Sequence, residues 1–158
     1  MNAIRTEKKK SIYEIYNVPY DDIIIDGVSV DELLDSMIPG KGIKGLVPAT
    51  SGWLIDEKDE DIVWERMIPP IYSKRICPLL ICPDDQDFSC TTIVIEIENT
   101  RTTLNWNRVG INKRYEYRKY DLIGMDVEWF PAIEPFEFDA EEYRNTFRKI
   151  RENREKGD

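Results

Sequence analysis

The sequence contains no histidine. Imidazole is the side chain most used as a general base near neutral pH and the commonest metal ligand. Its absence removes Ser-His-Asp and Cys-His catalysis and leaves carboxylates, lysine, tyrosine or cysteine as the available reacting groups. Cysteine is scarce as well. Cys77, Cys82 and Cys90 are an odd number without paired CxxC spacing, which argues against a secreted disulfide scaffold and against a tetrahedral zinc site. No run of about 18 apolar residues is present, so no membrane-spanning helix is expected. The basic start, Met1 to Ser11, leads into Ile12-Tyr13-Glu14-Ile15-Tyr16, too polar and too short for the apolar region of a signal peptide, so the expected address is the cytoplasm.

What is present suits one domain. The chain has 158 residues, of which 41% are hydrophobic and 34% charged. A core of this size needs neither disulfides nor a structural metal to hold it. There are 22 basic and 31 acidic residues, a formal charge of -9. That balance opposes nonspecific contact with nucleic-acid phosphates or anionic lipid, so neither nucleic acid nor membrane is an expected partner and a cationic protein is the natural one. Residues 20 to 65 hold twelve acidic side chains against Lys41, Lys44 and Lys58, and so carry the whole net excess. Such a stretch is either a solvated face or a binding surface.

Periodicity separates the elements. Ser29-Val30-Asp31-Glu32 has the form of a capping box, with Val28 and Leu33 placed for a hydrophobic staple, and Val30, Leu33, Leu34, Met37 and Ile38 follow helical spacing until Pro39-Gly40. A second, acidic helix is expected from about Asp59 to Met67, with Ile62, Val63 and Met67 inward and Pro69-Pro70 as its stop. Ile76 to Cys82, the alternating Ile93 to Glu98, and Thr102 to Val109 read as consecutive antiparallel strands. Pro78 belongs at a strand start or edge because it cannot donate to a ladder. Further short strands are expected near Tyr13 to Tyr16, Ile23 to Ile25, Tyr115 to Tyr117 and Val127 to Phe130. Asp139 with Glu142 at N3 opens a last helix whose inward stripe is Tyr143, Phe147 and Ile150. The pattern predicts a single α+β domain: an antiparallel sheet of about five or six strands with helices packed against it. Residues 1 to 10 read as a loose basic arm and 151 to 158 as a frayed, charged end.

Candidate chemistry is concentrated in Cys82-Pro83-Asp84-Asp85-Gln86-Asp87-Phe88-Ser89-Cys90. Asp84, Asp85 and Asp87 offer oxygens to a hard divalent cation. Counted as an EF-hand from Asp85, however, the loop has Cys90 where Gly is required and places Glu96 within a strand, so that motif is rejected. A turn in which the Asp side chains bond their own backbone is the simpler reading. Cys82 and Cys90 could face one another across two strands, and they read as buried, reduced thiols. Gly40-Lys41-Gly42 and Lys44-Gly45 lack the following Ser or Thr and the preceding strand of a phosphate loop, and they read as a helix exit. Trp53, Trp64, Trp106 and Trp129 are expected mainly in the core. Any of these aromatics beside the acidic face would suit an interface, while Tyr115-Glu116-Tyr117-Arg118-Lys119-Tyr120 has the mix that stacks on single strands, contrary to the net charge.

The order Gly45-Leu46-Val47-Pro48, Trp53-Leu54, Cys82 to Cys90, Trp106-Asn107-Arg108-Val109-Gly110, Val127-Glu128-Trp129-Phe130 and Phe138 to Tyr143 resembles small acidic immunity-type proteins of bacterial polymorphic-toxin systems, over about residues 20 to 150. The resemblance implies a non-enzymatic protein, without cofactor or metal, that neutralises a cognate, basic toxin domain. The densest acidic run supplies the expected partner-binding residues Asp56, Glu57, Asp59, Glu60 and Asp61, with Trp64 as an aromatic anchor and Asp84, Asp85 and Asp87 alongside. Two other readings stay open: a metal-dependent enzyme or metal-binding protein centred on the Asp84/Asp85/Asp87 loop, and a structural or regulatory interaction module, possible as a homodimer through a strand edge.

Overall fold

The computed structural model describes residues 1–11 and 18–157. The fold is α+β. Its larger sheet has six antiparallel strands: β4 (Val47–Pro48), β5 (Lys74–Ile81), β6 (Ile93–Asn99), β7 (Thr103–Asn112) and β8 (Val127–Trp129) follow one another, and β9 (Phe136–Asp139) pairs with the other end of β7. A smaller sheet holds β1 (Ile4–Lys9), β2 (Tyr20–Ile25) and β3 (Val28–Ser29). The helices are α1 (Val30–Met37), α2 (Glu57–Met67) and α3 (Ala140–Gly157). A parallel bridge between Asn2 and Phe138, with the Asn2 amide donating to the Glu137 carbonyl at 2.7 Å, joins the two sheets.

The core gathers around Trp106, fully buried on β7, with the rings of Phe136, Phe138 and Tyr143 edge-on to it at 5.9, 4.9 and 6.4 Å. A buried indole N–H needs an acceptor. Trp106 donates to the Tyr143 hydroxyl at 3.2 Å, and that hydroxyl donates to the Met67 carbonyl at 2.9 Å, so α3, β7 and the end of α2 are fixed by one chain of hydrogen bonds. The stripe Tyr143, Phe147 and Ile150 is buried as its spacing indicates, and the Asp139 carboxylate caps α3 by accepting from the Glu142 amide at 3.0 Å.

Several expectations are corrected. Residues 1 to 10 contain a strand rather than a loose arm, because Lys8 lies 3.2 Å from Asp21 and Lys9 lies 3.2 Å from Asp31 and 3.8 Å from Asp22. The cations are neutralised across the β1–β2 ladder and against α1. The C-terminal end is helix through Gly157 instead of frayed, since Arg151 stacks on Trp64, Arg154 pairs with Glu60 and Asn153 donates to Asp21 at 3.1 Å. Ser29 precedes α1 but makes no side-chain cap; its hydroxyl lies instead against the Asp22 and Asp31 carboxylates. Val28, placed for a staple, is exposed. Pro78 sits inside β5 opposite Val94, where the register shifts before Leu80, so a bulge accommodates the missing donor. Tyr115 to Tyr117 form no strand; the chain reverses at Arg118, which has φ 59°. The strand expected at Tyr13 to Tyr16 lies outside the described residues.

Lys9 is the cation of a buried network. Its ammonium faces Asp22, Asp31 and Glu32 and donates to the Ser29 hydroxyl at 2.9 Å, while Asp31 also accepts from the Gly45 amide at 2.9 Å. Burial alone would lower the Lys9 pKa, yet Asp31 and Asp22 outweigh it and hold the group above its ordinary value. Lys9→Met keeps the apolar stem but strands two buried carboxylates. Urea unfolding at pH 7 is expected to show a loss of order 3 kcal/mol, and a loss within experimental error would mean that the network is not required.

Candidate functional site

The N-terminus of α2, the loop joining β5 to β6 and the segment after β7 enclose a cleft of about 330 Å³ lined by Ile55, Asp56, Asp59, Asp85, Gln86, Asp87 and Tyr117. Three separate stretches of sequence meet here for identifiable reasons. The Ile55 amide donates to the Gln86 carbonyl at 3.2 Å, which clamps the entrance of α2 to the β5–β6 loop. Buried Phe88 roots that loop in the core. Arg66, on the last turn of α2, donates to the carbonyls of Tyr120 at 2.9 Å and Ile76 at 3.2 Å and so holds the third segment in place.

The carboxylates of the cleft differ in environment. Asp56 is the N-cap of α2, accepting from the Lys58 amide at 2.9 Å. It also faces Arg118 at 3.2 Å and the Tyr117 hydroxyl at 3.4 Å. The capping hydrogen bond first, and then Arg118, hold its pKa below the ordinary value. Asp59 is buried one turn further on and accepts from the Tyr120 hydroxyl at 2.7 Å. Desolvation raises its pKa against that hydrogen bond, and the charges of Asp56 and Asp87 add to the rise. The same anions, after burial, push the Tyr115 phenol upward. Asp87 is partly occupied by its own turn, accepting from the Ser89 amide at 2.9 Å. Two carboxylates with pKa values displaced in opposite directions have the form of an acid–base pair. Here both Asp56 and Asp59 are already hydrogen-bonded within the chain, which suits a fixed anionic surface better than proton transfer.

The acidic run expected to act together is divided by the helix. Asp56 and Asp59 face the cleft with Asp85 and Asp87. Glu57, Glu60, Asp61 and Trp64 instead line a groove of about 280 Å³ against Arg151, Arg154 and Glu155 of α3. In that groove Arg154 pairs with Glu60 and the Arg151 guanidinium lies 5.2 Å from the Trp64 ring centroid, so one of its anions is paired and a second cation stands among the others. Asp84 is exposed on the β5–β6 loop and does not line either recess. Asp87 bonds its own turn, as the simpler reading of this loop has it, and the alternative of Asp84, Asp85 and Asp87 gathered around a cation does not describe the ligand group that the fold brings together. Among the described residues, the group whose ligand atoms come together is Cys82, Asp85 and Cys90, within 4.8 Å of one another. The expectation that both of these cysteines are buried is not met, because Cys90 is exposed and Cys82 half-buried.

Sequence reasoning missed Ile55 and Tyr117, which are 79% and 66% exposed beside the carboxylates. The signal for Tyr117 is the aromatic and basic mix of the Tyr115 to Tyr120 run, whose likeness to a single-strand stacking surface the net charge opposes. Its position beside Asp56 depends on the turn at Arg118 and on Arg66, which no local pattern reveals. Comparison with protein-family models, curated proteins and solved structures gives no match.

An acid whose pKa is higher in the folded than in the unfolded chain costs stability once it ionises, and that cost vanishes when pH falls below the unfolded value. Asp59→Asn, which keeps an acceptor for Tyr120, is therefore expected to raise the urea midpoint relative to the parent at pH 7. The difference should disappear below about pH 4. A variant less stable than the parent at pH 7 would show that the Tyr120 hydrogen bond outweighs burial.

Proposed function

We propose that this chain is a non-catalytic immunity-type protein that captures one cationic toxin domain, with the Asp56/Asp59/Asp85/Asp87 cleft as its docking surface. The observation that carries the reading is the convergence of acidic residues from two distant parts of the sequence on one recess whose rim exposes Ile55 and Tyr117. Clustered anions accelerate encounter with a basic partner, and a desolvated aromatic at the centre of a contact holds it once formed. Among the described residues Arg118 is the one cation set against these four carboxylates by a direct pair, whereas the second groove has two arginines among its anions. The cleft thus has fewer cations set against its carboxylates than the groove between α2 and α3. The acidic total, the resemblance to immunity proteins and the lack of imidazole favour binding over turnover.

The test uses the toxin domain encoded beside this chain in its genome, purified as a catalytically dead form. Asp85→Asn with Asp87→Asn is expected to slow association and flatten its dependence on ionic strength, because both act on the long-range field. Tyr117→Ala is expected to accelerate dissociation by about tenfold, an effect of more than 1 kcal/mol. Unchanged rates in both variants would remove the cleft from the interface, and a neighbouring product that does not bind the parent chain would overturn the reading itself.

A further inference from the structure

The hairpin loop between β5 and β6 brings two thiols to Asp85, one of the carboxylates of the cleft. Cys82 follows directly on β5, Cys90 lies just before β6, and Asp85 stands between them on the turn. The Gln86 amide donates to the Cys82 carbonyl at 3.1 Å, and Gln86 takes a left-handed conformation with φ 55°. This closes a tight reversal that returns Asp85 over Cys82. Phe88, buried, and the Thr92 hydroxyl, donating to the Phe88 carbonyl at 3.3 Å, then bring the chain back so that Cys90 meets the same point. The Cys90 and Cys82 sulfurs and an Asp85 carboxylate oxygen all lie within 4.8 Å of one another. Cys77, the remaining cysteine, is buried on β5 against the carbonyls of Val63 and Pro78 and takes no part.

We propose that Cys82, Asp85 and Cys90 form a binding site for a thiophilic divalent cation, zinc in the first instance, with three protein ligands and one position left open. Donor chemistry selects the ion: two sulfurs and one oxygen suit zinc, while magnesium and calcium require several oxygens. Geometry is close to what coordination needs. Ligand atoms held at about 2.0–2.3 Å from a tetrahedral centre lie roughly 3.3–3.8 Å apart, and the three atoms here are within 4.8 Å of one another. Rotation of exposed side chains closes the difference, since Asp85 and Cys90 are on the surface and Cys82 is half-buried. Two CxxC pairs are not required when a turn puts a carboxylate where a second motif would have supplied thiols.

Binding is balanced by protons. Two thiols are deprotonated as the metal enters, so two protons leave for each divalent ion and the local charge of the thiol–carboxylate cluster stays at one negative unit. The negative field of the adjoining cleft is therefore kept, although Asp85 becomes a ligand instead of a free surface anion. Affinity rises with pH because the protons compete with the metal.

The experiment is a titration of the reduced full-length protein with Co²⁺, followed by displacement with Zn²⁺. One equivalent of Co²⁺ should bring up thiolate-to-cobalt charge-transfer absorption in the near ultraviolet, with release of two protons, and one equivalent of Zn²⁺ should remove it. Cys82→Ser and Cys90→Ser are each expected to abolish metal-dependent two-thiolate absorption, while Cys77→Ala leaves it unchanged. Asp85→Asn should retain thiolate absorption but weaken binding by at least about tenfold, since even outer-shell partners are worth that much. Far-ultraviolet circular dichroism checks that each variant is folded. Absence of the thiolate band, its persistence in both serine variants, or oxidation of Cys82 and Cys90 to a disulfide as the pair's only reaction would overturn the proposal. No protein partner enters the measurement, so failure here leaves the docking reading standing, and failure of docking leaves the metal site to be judged on its own.

Discussion

A carboxylate taken out of water has to be answered, and the first third of this structure is organised by that requirement. Asp22 and Asp31 are almost completely buried, and Lys9 with Ser29 answers both. Burial raises the Asp22 pKa more strongly than its hydrogen bond with Ser29 and the Lys9 charge lower it, so the network holds its anions under tension. From this point the connections spread. Lys9 ties β1 to β2 and α1, and Asp31 reaches the Gly45 amide and so sets the path by which the chain leaves α1 and enters β4. The isolated small sheet would be marginal on its own strands. Ionic pairing, the Asn2 bridge to Phe138 and the docking of Glu142 and Thr146 on the Ile4 backbone make it part of the larger body.

The same requirement decides which negative charges remain available. A formal total of -9 says nothing about where the field is felt. Lys8, Lys9, Arg151 and Arg154 are spent on Asp21, Asp22, Asp31, Glu60 and the face of Trp64. At the cleft, among the described residues, only Arg118 pairs with the lining carboxylates, through Asp56. Opposite sides of the short helix α2 thus serve different ends, one closing against α3 and the other facing outward. No helix in the described residues is long and apolar enough to cross a membrane.

Much of the architecture is legible locally because its causes are local. Proline at 69 and 70 stops α2, Asp139 starts α3, and the alternation from Ile93 to Ile97 marks a strand without reference to anything distant, although the burial of Val94 on its other face comes from the surrounding fold. The failures share another cause. Lys8, Lys9, Arg151 and Arg154 look like solvated ends when only their neighbours in sequence are considered, since their partners lie far along the chain. Ser29 shows the same competition in miniature: a residue suited to capping turns to two buried carboxylates, because leaving them unanswered is costlier than leaving one exposed amide to water.

Composition alone fixed what chemistry is available: no imidazole, an anionic excess, and enough apolar residues at helical and strand spacing for an α+β core. Tertiary structure decided how those groups are shared out. It separated Asp56 and Asp59 from Glu57, Glu60 and Asp61 by turning them to different faces of α2. It also set Asp85 beside Cys82 and Cys90. Spacing along a chain specifies which way a side chain points from its own helix or strand, whereas the identity of the group it meets depends on how distant elements pack.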